Sequence, residues 1–213
     1  MGCSEPGEPF GGSSVSRMPK HAVLDEFLPA GLHDALLAHA LASEHRFLPA
    51  EVAGRGQQGY DAQSRVAWYC ADGLGHLKSA FHEAVAARLD DLFDQLGMAP
   101  FPVAQTELEL AAHRDGSYFQ PHIDTMTQDR RSMTETDRVV TMVYYFHASP
   151  RRFSGGDLLL YPFDRSAPKA IAPADNRLLA FPAICLHEVT PVIAPADFDA
   201  ARFAVNCWLH RAR

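Results

Sequence analysis

Long apolar runs are missing from this sequence. No stretch approaches the roughly 20 residues that a helix needs to cross a bilayer, and the opening segment, "MGCSEPGEPFGGSSVSR", lacks the apolar core of a secretory signal. Excess positive charge is missing as well, because 19 Lys and Arg residues stand against 26 Asp and Glu residues and give a formal net charge of −7. We therefore expect a cytoplasmic protein with no membrane partner and no nucleic-acid partner.

Cysteine is scarce, and its spacing does not indicate a metal site. The chain has no CxxC pair and no dense framework of the kind that disulfide-rich secreted domains use. Three of the cysteines lie in apolar, strand-like segments, which favours buried free thiols and a reducing compartment. The four cysteines are Cys3, Cys70, Cys185 and Cys207.

The remaining composition is that of an ordinary globular domain. Hydrophobic residues make up 47% of the 213 residues and charged residues 21%, which argues against general disorder and allows a sizeable core. Apolar patterning begins only at about Met18. We predict a disordered tail over residues 1–17 and a single domain over residues 18–213.

Apolar spacing divides the chain into helical and strand-like parts. Leucines recur at helical spacing over residues 30–45, and a longer apolar stripe over residues 75–97 ends at Gly97, a suitable C-cap. The predicted strands, which have a period of two, are "SRVAWYC", "VAQTELELAAH", "DRVVTMVYYFH", "GDLLLYPF", "NRLLAFPA", "LHEVTPVI" and "RFAVNCWLH". Many short strands at about ten-residue spacing predict an α+β fold: a double-stranded β-helix (jelly-roll, cupin-like) core flanked by N-terminal helices.

The segment "HRDGSYFQPHIDT" contains the pattern His-x-Asp twice, as His113 with Asp115 and as His122 with Asp124. Chance alone gives about one such pair in a chain of this composition, so the spacing by itself assigns no function. The first pair matches the start of a protein-kinase catalytic loop, but Gln120 stands where that loop requires Asn, and no glycine-rich phosphate loop precedes it. A kinase is therefore excluded.

The second pair has stronger support from the rest of the chain. His187 follows His122 by 65 positions, far enough to lie on another strand. The last predicted strand places Arg202, Asn206 and Trp208 on one face, a composition that suits a polar cavity better than a core. Two histidines and one carboxylate are the ligand set of non-haem Fe(II) sites that leave coordination positions open.

Taken in order, these motifs resemble the Fe(II)- and 2-oxoglutarate-dependent dioxygenases of the prolyl 4-hydroxylase type. The similarity covers roughly residues 100–210, with weaker agreement earlier in "SRVAWY". The matching motifs are "DGSYFQPHID", "TMVYYFH", "SGGDLLLYP", "DNRLLAFP", "HEVTPV" and "RFAVNCW". The resemblance implies Fe(II) as the metal, 2-oxoglutarate as the cosubstrate and O2 as the oxidant.

The resemblance also implies roles for individual residues. His122, Asp124 and His187 correspond to the three iron ligands and thus to the catalytic centre. Arg202 corresponds to the residue that binds the distal carboxylate of 2-oxoglutarate, a task that suits the planar fork of a guanidinium group.

Three further residues are candidates for contact with the cosubstrate. His113 lies near the position where the family often has a tyrosine that contacts 2-oxoglutarate. Tyr144 or Tyr145 can supply another hydroxyl to the same carboxylate, but strand alternation allows only one of these two tyrosines to point inward.

The implied function is hydroxylation of an unactivated C–H bond. The leading substrate is a prolyl or other amino-acid residue in a peptide or protein, and a free amino acid or small metabolite is the alternative. A non-catalytic jelly roll that binds a metal as a sensor is a further alternative from a different class. The sequence gives no indication of the oligomeric state.

Overall fold

Short antiparallel strands dominate the residues that the computed structural model describes, which are 18–50, 64–126 and 131–213. The strands are β1 (Ala22–Leu24), β2 (Phe47–Pro49), β3 (Arg65–Val66), β4 (Trp68–Cys70), β5 (Gln105–His113), β6 (Tyr118–His122), β7 (Thr136–Phe146), β8 (Ser154–Gly155), β9 (Leu158–Leu160), β10 (Lys169–Ile171), β11 (Arg177–Pro182), β12 (His187–Val189), β13 (Val192–Ile193) and β14 (Arg202–Ala212). The helices are α1 (Ala30–Ala42), α2 (Lys78–Ala86) and α3 (Leu89–Leu96). The predicted tail over residues 1–17 lies outside the described residues.

The strands pair into two large antiparallel sheets and one small ribbon. The larger sheet has seven strands in the order β1-β11-β7-β14-β5-β4-β2, and the smaller has five in the order β10-β9-β12-β6-β3. The ribbon joins β13 to β8. This strand-rich antiparallel architecture with few helices is consistent with the predicted jelly-roll core.

Strand alternation gives the seven-stranded sheet two different faces. Its long strands β7 and β14 pair antiparallel, with one register shift between Leu209 and His210, and successive side chains point to opposite faces. Tyr144 belongs to the apolar cluster on the helix side, together with Phe81 of α2. Tyr145, one position later, belongs to a different apolar cluster. That cluster contains Leu158 of β9, a strand of the five-stranded sheet. The second face is therefore the one turned towards the other sheet.

The helical stretch before the sheets departs from the prediction. Periodicity predicts one helix over residues 75–97, but the structure has a 3-10 turn at Gly75–Leu77 followed by the separate helices α2 and α3. The break lies at Arg88, whose φ of −115° and ψ of 4° interrupt the helical hydrogen-bond ladder. Gly97 caps α3 with a left-handed φ of 61°, as the sequence predicts.

Two compositional expectations can be compared with the described residues. Among them, no helix combines the length and the apolarity that a membrane crossing requires. Cys70, Cys185 and Cys207 are buried and free, which confirms the prediction of buried thiols for these three. Cys3 lies outside the described residues.

Candidate functional site

The two histidines that the sequence separates by 65 positions are direct neighbours in the five-stranded sheet. Strands β6 and β12 pair antiparallel, and His122 and His187 are register partners. Their ring centroids are 4.2 Å apart. Strand pairing therefore brings the second His-x-Asp pair and the distal histidine to one place.

Asp124 completes a cluster of three potential metal ligands. Its Oδ1 lies 3.6 Å from His122 Nε2, and its Oδ2 lies 3.6 Å from His187 Nε2. One ligand atom from each residue lies within 4.8 Å of the others. Two nitrogens and one carboxylate oxygen at this separation fit the ligand set of a non-haem Fe(II) site.

Backbone hydrogen bonds orient both imidazoles towards the centre of this cluster. His122 Nδ1 donates to the Gln120 carbonyl at 2.7 Å, and His187 Nδ1 donates to the Cys185 carbonyl at 3.0 Å. Each Nε2 therefore carries a lone pair that points at the cluster, as a metal ligand requires. Burial and the neighbouring His187 lower the pKa of His122 to about 4, so this imidazole is neutral near pH 7.

The Asp124 carboxylate is fixed by two side chains of the seven-stranded sheet. Thr141 Oγ1 of β7 donates to its Oδ2 at 2.8 Å, and Trp208 Nε1 of β14 donates to the same oxygen at 2.9 Å. Burial alone would raise the pKa of Asp124, but the two imidazoles and these two hydrogen bonds outweigh it and hold the pKa below its usual value. The ligand cluster thus joins both sheets.

The first His-x-Asp pair does not form a metal site among the described residues. Its Asp115 carboxylate accepts a hydrogen bond from the Ala194 backbone at 3.0 Å. His113 is buried, and its Nδ1 lies 3.0 Å from Arg202 Nη1, which donates to it. Because a guanidinium can only donate, this imidazole accepts and is neutral. Burial, with a contribution from the charge of Arg202, lowers the pKa of His113 well below its usual value.

Arg202 lies in the same cavity as the ligand cluster and is almost fully enclosed. Only 1% of its surface is exposed, and no carboxylate of the described residues forms an ion pair with it. Its guanidinium carbon lies 4.7 Å from the centroid of the Tyr145 ring. Arg202 Nε and the Tyr145 hydroxyl are both buried, and neither has a hydrogen-bond partner in the part of the chain that the structure describes. A buried cation beside open donors is chemically suited to bind a carboxylate.

The two neighbouring tyrosines have different surroundings. Tyr145 packs beneath Arg202 between the sheets, as one of the two alternatives predicts. Tyr144 lies on the opposite face, where its hydroxyl donates to Asn176 Oδ1 at 3.0 Å and lies 2.8 Å from His33 Nδ1. Tyr144 cannot reach the cavity because strand alternation turns it towards α1. Tyr144 therefore does not line the cavity, contrary to the alternative in which this tyrosine contacts the cosubstrate.

The three potential metal ligands and Arg202 share one cavity of about 620 Å³. Its walls include the three potential ligands, Arg202 and His113, and it also has apolar wall residues such as Val143, Leu158 and Val189. The cluster of nitrogen and oxygen donors fits a ferrous ion, and the unpartnered donors at Arg202 fit an acidic cosubstrate. The residues present therefore match both groups that the resemblance implies.

The sequence places Trp208 on the cavity face of the last strand but does not indicate that it holds Asp124. Three residues of the site are absent from the sequence predictions: Thr141 holds Asp124, whereas Glu109 and Tyr69 line the cavity wall. A signal for one of them exists: Glu109 shares a strand face with His113 in "ELELAAH", where charged side chains alternate with apolar ones. The contact of Thr141 has no local signal because its partner, Asp124, lies in a different segment, after the end of β6.

The antiparallel fold and a His-Asp-His cluster in a cavity with a buried arginine define the class of non-haem iron oxygenases. The sequence model described as the 2OG-Fe(II) oxygenase superfamily matches residues 108–210. The match covers a little under half of the chain and shows that this part is similar to the superfamily. This similarity implies Fe(II), 2-oxoglutarate and O2 as the metal, the cosubstrate and the oxidant.

One curated relative and several solved structures are also similar to this chain. The chain is 37% identical over 144 residues to an uncharacterized PKHD-type hydroxylase of Synechocystis sp., a match that covers 63% of this chain and 46% of the relative. The chain thus spans about half the length of this curated relative. A Pseudomonas putida prolyl-4-hydroxylase superposes with a TM-score of 0.65 at 20% identity, covering 91% of this chain and 94% of that structure. A prolyl hydroxylase from Trichoplax adhaerens was solved with a hypoxia inducible factor peptide fragment. It superposes with a TM-score of 0.65 at 20% identity, covering 90% of this chain and 83% of that structure. At these identities the structures establish the fold alone.

Proposed function

We propose that this chain is a 2-oxoglutarate-dependent hydroxylase that oxidises an aliphatic C–H bond of an amino acid, either as a residue of a peptide or as a free molecule. The observation that carries the proposal is the convergence of His122, Asp124 and His187, with one ligand atom from each within 4.8 Å of the others. The likeness to prolyl hydroxylases makes a prolyl residue in a peptide the first substrate to test. The two sheets around the site would form the double-stranded β-helix that the sequence predicts.

Each part of the site has a distinct task in this reaction. Bound Fe(II), together with 2-oxoglutarate and O2, supplies the oxidising chemistry that converts a C–H bond into an alcohol. The two Nε2 atoms and the Asp124 carboxylate would hold the metal, and the hydrogen bonds from Thr141 and Trp208 keep that carboxylate in place. Three protein ligands would leave room in the cavity for the cosubstrate.

Arg202 binds and orients the cosubstrate. Its charge and its open Nε suit the distal carboxylate of 2-oxoglutarate, and the Tyr145 hydroxyl beside it can donate to the same carboxylate. His113 accepts a hydrogen bond from Arg202 Nη1 and so fixes the orientation of the guanidinium without opposing its charge. The apolar walls at Val143 and Leu158 limit the access of water to the bound groups.

The proposal is tested by anaerobic titration of the Fe(II)-loaded protein with 2-oxoglutarate. We expect a visible metal-to-ligand charge-transfer band and, after O2 is admitted, slow conversion of 2-oxoglutarate into succinate without substrate. The Asp124→Ala variant should lose iron and both signals. The Arg202→Ala variant should keep iron but bind 2-oxoglutarate roughly 10- to 100-fold more weakly.

Asp115→Ala is the matched control, because it removes the carboxylate of the other His-x-Asp pair. We expect this variant to retain both the band and succinate release. An undiminished band in Asp124→Ala would refute the ligand assignment. Iron binding by the unmodified chain without any turnover of 2-oxoglutarate would favour a non-catalytic sensor.

A further inference from the structure

The cavity wall contains a carboxylate that the proposed reaction does not use. Glu109 of β5 and Asn206 of β14 are register partners, and both line the cavity. The Asn206 amide donates to Glu109 Oε1 at 3.3 Å. The Tyr69 hydroxyl also contacts this carboxyl group. The same hydroxyl accepts a hydrogen bond of 3.0 Å from Arg65 Nη1. Glu109 is thus held in a defined orientation in the cavity that also contains the candidate metal centre.

A second carboxylate on the same strand face has a different environment. Glu107, two positions earlier, accepts hydrogen bonds of 3.0 and 2.6 Å from Arg138, and His210 Nε2 lies 3.0 Å from it. Among the ion pairs of the described residues, Glu107 takes part in two and Glu109 in none. The protein itself therefore pairs Glu107 with two basic side chains, whereas Glu109 lines the cavity and has only the nearby positive charge of Arg65.

A carboxylate in such a position is stabilised by a cation from solution. Partial burial disfavours its ionised form and raises the pKa of Glu109, although the charge of Arg65 and the Asn206 hydrogen bond oppose this effect. Glu109 is not part of the metal-competent cluster found among the described residues. An ammonium group suits Glu109 better than a metal ion does. An ammonium group brings a positive charge and three N–H donors, and the carboxylate has several acceptor sites for them.

We propose that Glu109, with Asn206 and Tyr69, forms a subsite that binds the positively charged amino group of the substrate. This inference rests on the proposed hydroxylase function and narrows its substrates to amino acids or peptides with a free ammonium close to the oxidised carbon. The ammonium can belong to a free amino acid, to a peptide N-terminus or to a lysine side chain. Arg202 and Asp124 have other tasks, so the subsite adds a separate specificity element to the same cavity.

The test measures succinate release by the Fe(II) enzyme with a panel of amine-bearing compounds. The panel contains free amino acids, short prolyl peptides with a free N-terminus, and N-acetylated peptides with and without lysine. We expect stimulation by at least one amine-bearing class and loss of that stimulation when the same amine is acetylated. The class that stimulates identifies the source of the ammonium group.

Glu109→Gln is the variant that tests the subsite, because it keeps the shape of the side chain and removes its charge. We expect the KM for the amine-bearing substrate to rise roughly 10- to 100-fold, the range for loss of a charge-assisted hydrogen bond, while the KM for 2-oxoglutarate stays unchanged. Glu107→Gln is the matched control, and it should leave the KM for the amine-bearing substrate unchanged. If Glu109→Gln does not fold, the acetylation comparison on the unmodified enzyme still decides whether the substrate needs a charged amino group.

Failure of this inference is distinguishable from failure of the proposed function. If the unmodified enzyme converts 2-oxoglutarate but no amine-bearing compound stimulates it, or if the acetylated compounds stimulate equally, the subsite is refuted and the hydroxylase function stands. An unchanged substrate KM in a folded Glu109→Gln variant has the same meaning. Absence of 2-oxoglutarate conversion under all conditions refutes both.

Discussion

Single hydrogen bonds decide which polar side chains build the site and which support the fold. Tyr144 and Tyr145 are adjacent in the chain and both fully buried. The hydroxyl of Tyr144 has two partners, Asn176 and His33, that tie α1 to the sheet. The hydroxyl of Tyr145 has no partner among the described residues and lies beside Arg202. We therefore assign a structural role to the first hydroxyl and a ligand-binding role to the second.

Removal of the Tyr144 hydroxyl should affect stability, whereas removal of the Tyr145 hydroxyl should affect the binding of 2-oxoglutarate. Tyr144→Phe loses two internal hydrogen bonds, so we expect the free energy of unfolding to fall by about 1–2 kcal/mol and the KM for 2-oxoglutarate to stay unchanged. Tyr145→Phe loses no internal partner, so we expect unchanged stability and a KM for 2-oxoglutarate that is higher by roughly 3- to 10-fold. Urea denaturation and substrate-free succinate release measure the two quantities. Equal effects of both variants on KM would contradict the assignment.

At the level of elements, the turn between β8 and β9 packs closely against Arg202. Gly155 and Gly156 both have positive φ, of 67° and 70°. A Cβ at Gly155 would collide with the Pro191 carbonyl oxygen. A Cβ at Gly156 would lie 2.7 Å from Arg202 Cδ and 2.9 Å from Val192 Cγ2. The Gly-Gly pair therefore permits both the turn and the close approach of the buried guanidinium stem.

Gly156→Ala should disturb Arg202 as well as the backbone. We expect a loss of about 1–3 kcal/mol in the free energy of unfolding and at least a several-fold rise in the KM for 2-oxoglutarate. Gly116→Ala is the control, because Gly116 has a similar φ of 72° but nothing within 4 Å of the added Cβ. The control should lose stability through backbone strain alone. Equal KM values in the two variants would show that contact with Arg202 does not matter.

At the scale of the whole molecule, the candidate metal centre connects the two sheets. His122 and His187 belong to the five-stranded sheet, whereas Thr141 and Trp208, which hold Asp124, belong to the seven-stranded sheet. A bound metal ion would therefore add a link between layers that strand pairing does not join. Unfolding separates these ligands, so metal binding must stabilise the folded state.

Addition of metal should raise the thermal stability of the protein. At a free Fe(II) concentration about 100 times the dissociation constant, linkage predicts about 2.7 kcal/mol of stabilisation, or a rise of about 5–10 °C in the melting temperature of a chain of this size. Mn(II) under the same conditions gives a redox-inert comparison. In calorimetry, the Asp124→Ala variant should show little or no shift. A full shift in that variant would place the stabilising metal elsewhere.

Much of the architecture can be predicted because local periodicity reflects local geometry. Alternation predicts β5, β7, β11 and β14 with few errors at their ends, and Gly97 predicts the end of α3. The interruption at Arg88 cannot be predicted from the apolar stripe, because the stripe fits a straight helix equally well. The five-residue strand β6 is also absent from the predicted strands, since "YFQPH" has no alternation of apolar and polar residues.

The sequence by itself determined the residue types of the site and the face of the last strand on which Arg202 lies, since alternation follows from strand geometry alone. Only the tertiary structure decided that His187 stands opposite His122 while Asp115 turns to a loop backbone. It also decided that Glu107 forms two ion pairs and that Glu109 forms none among the described residues. The physical reason is that strand register and through-space charge pairing depend on the packing of segments far apart in the chain.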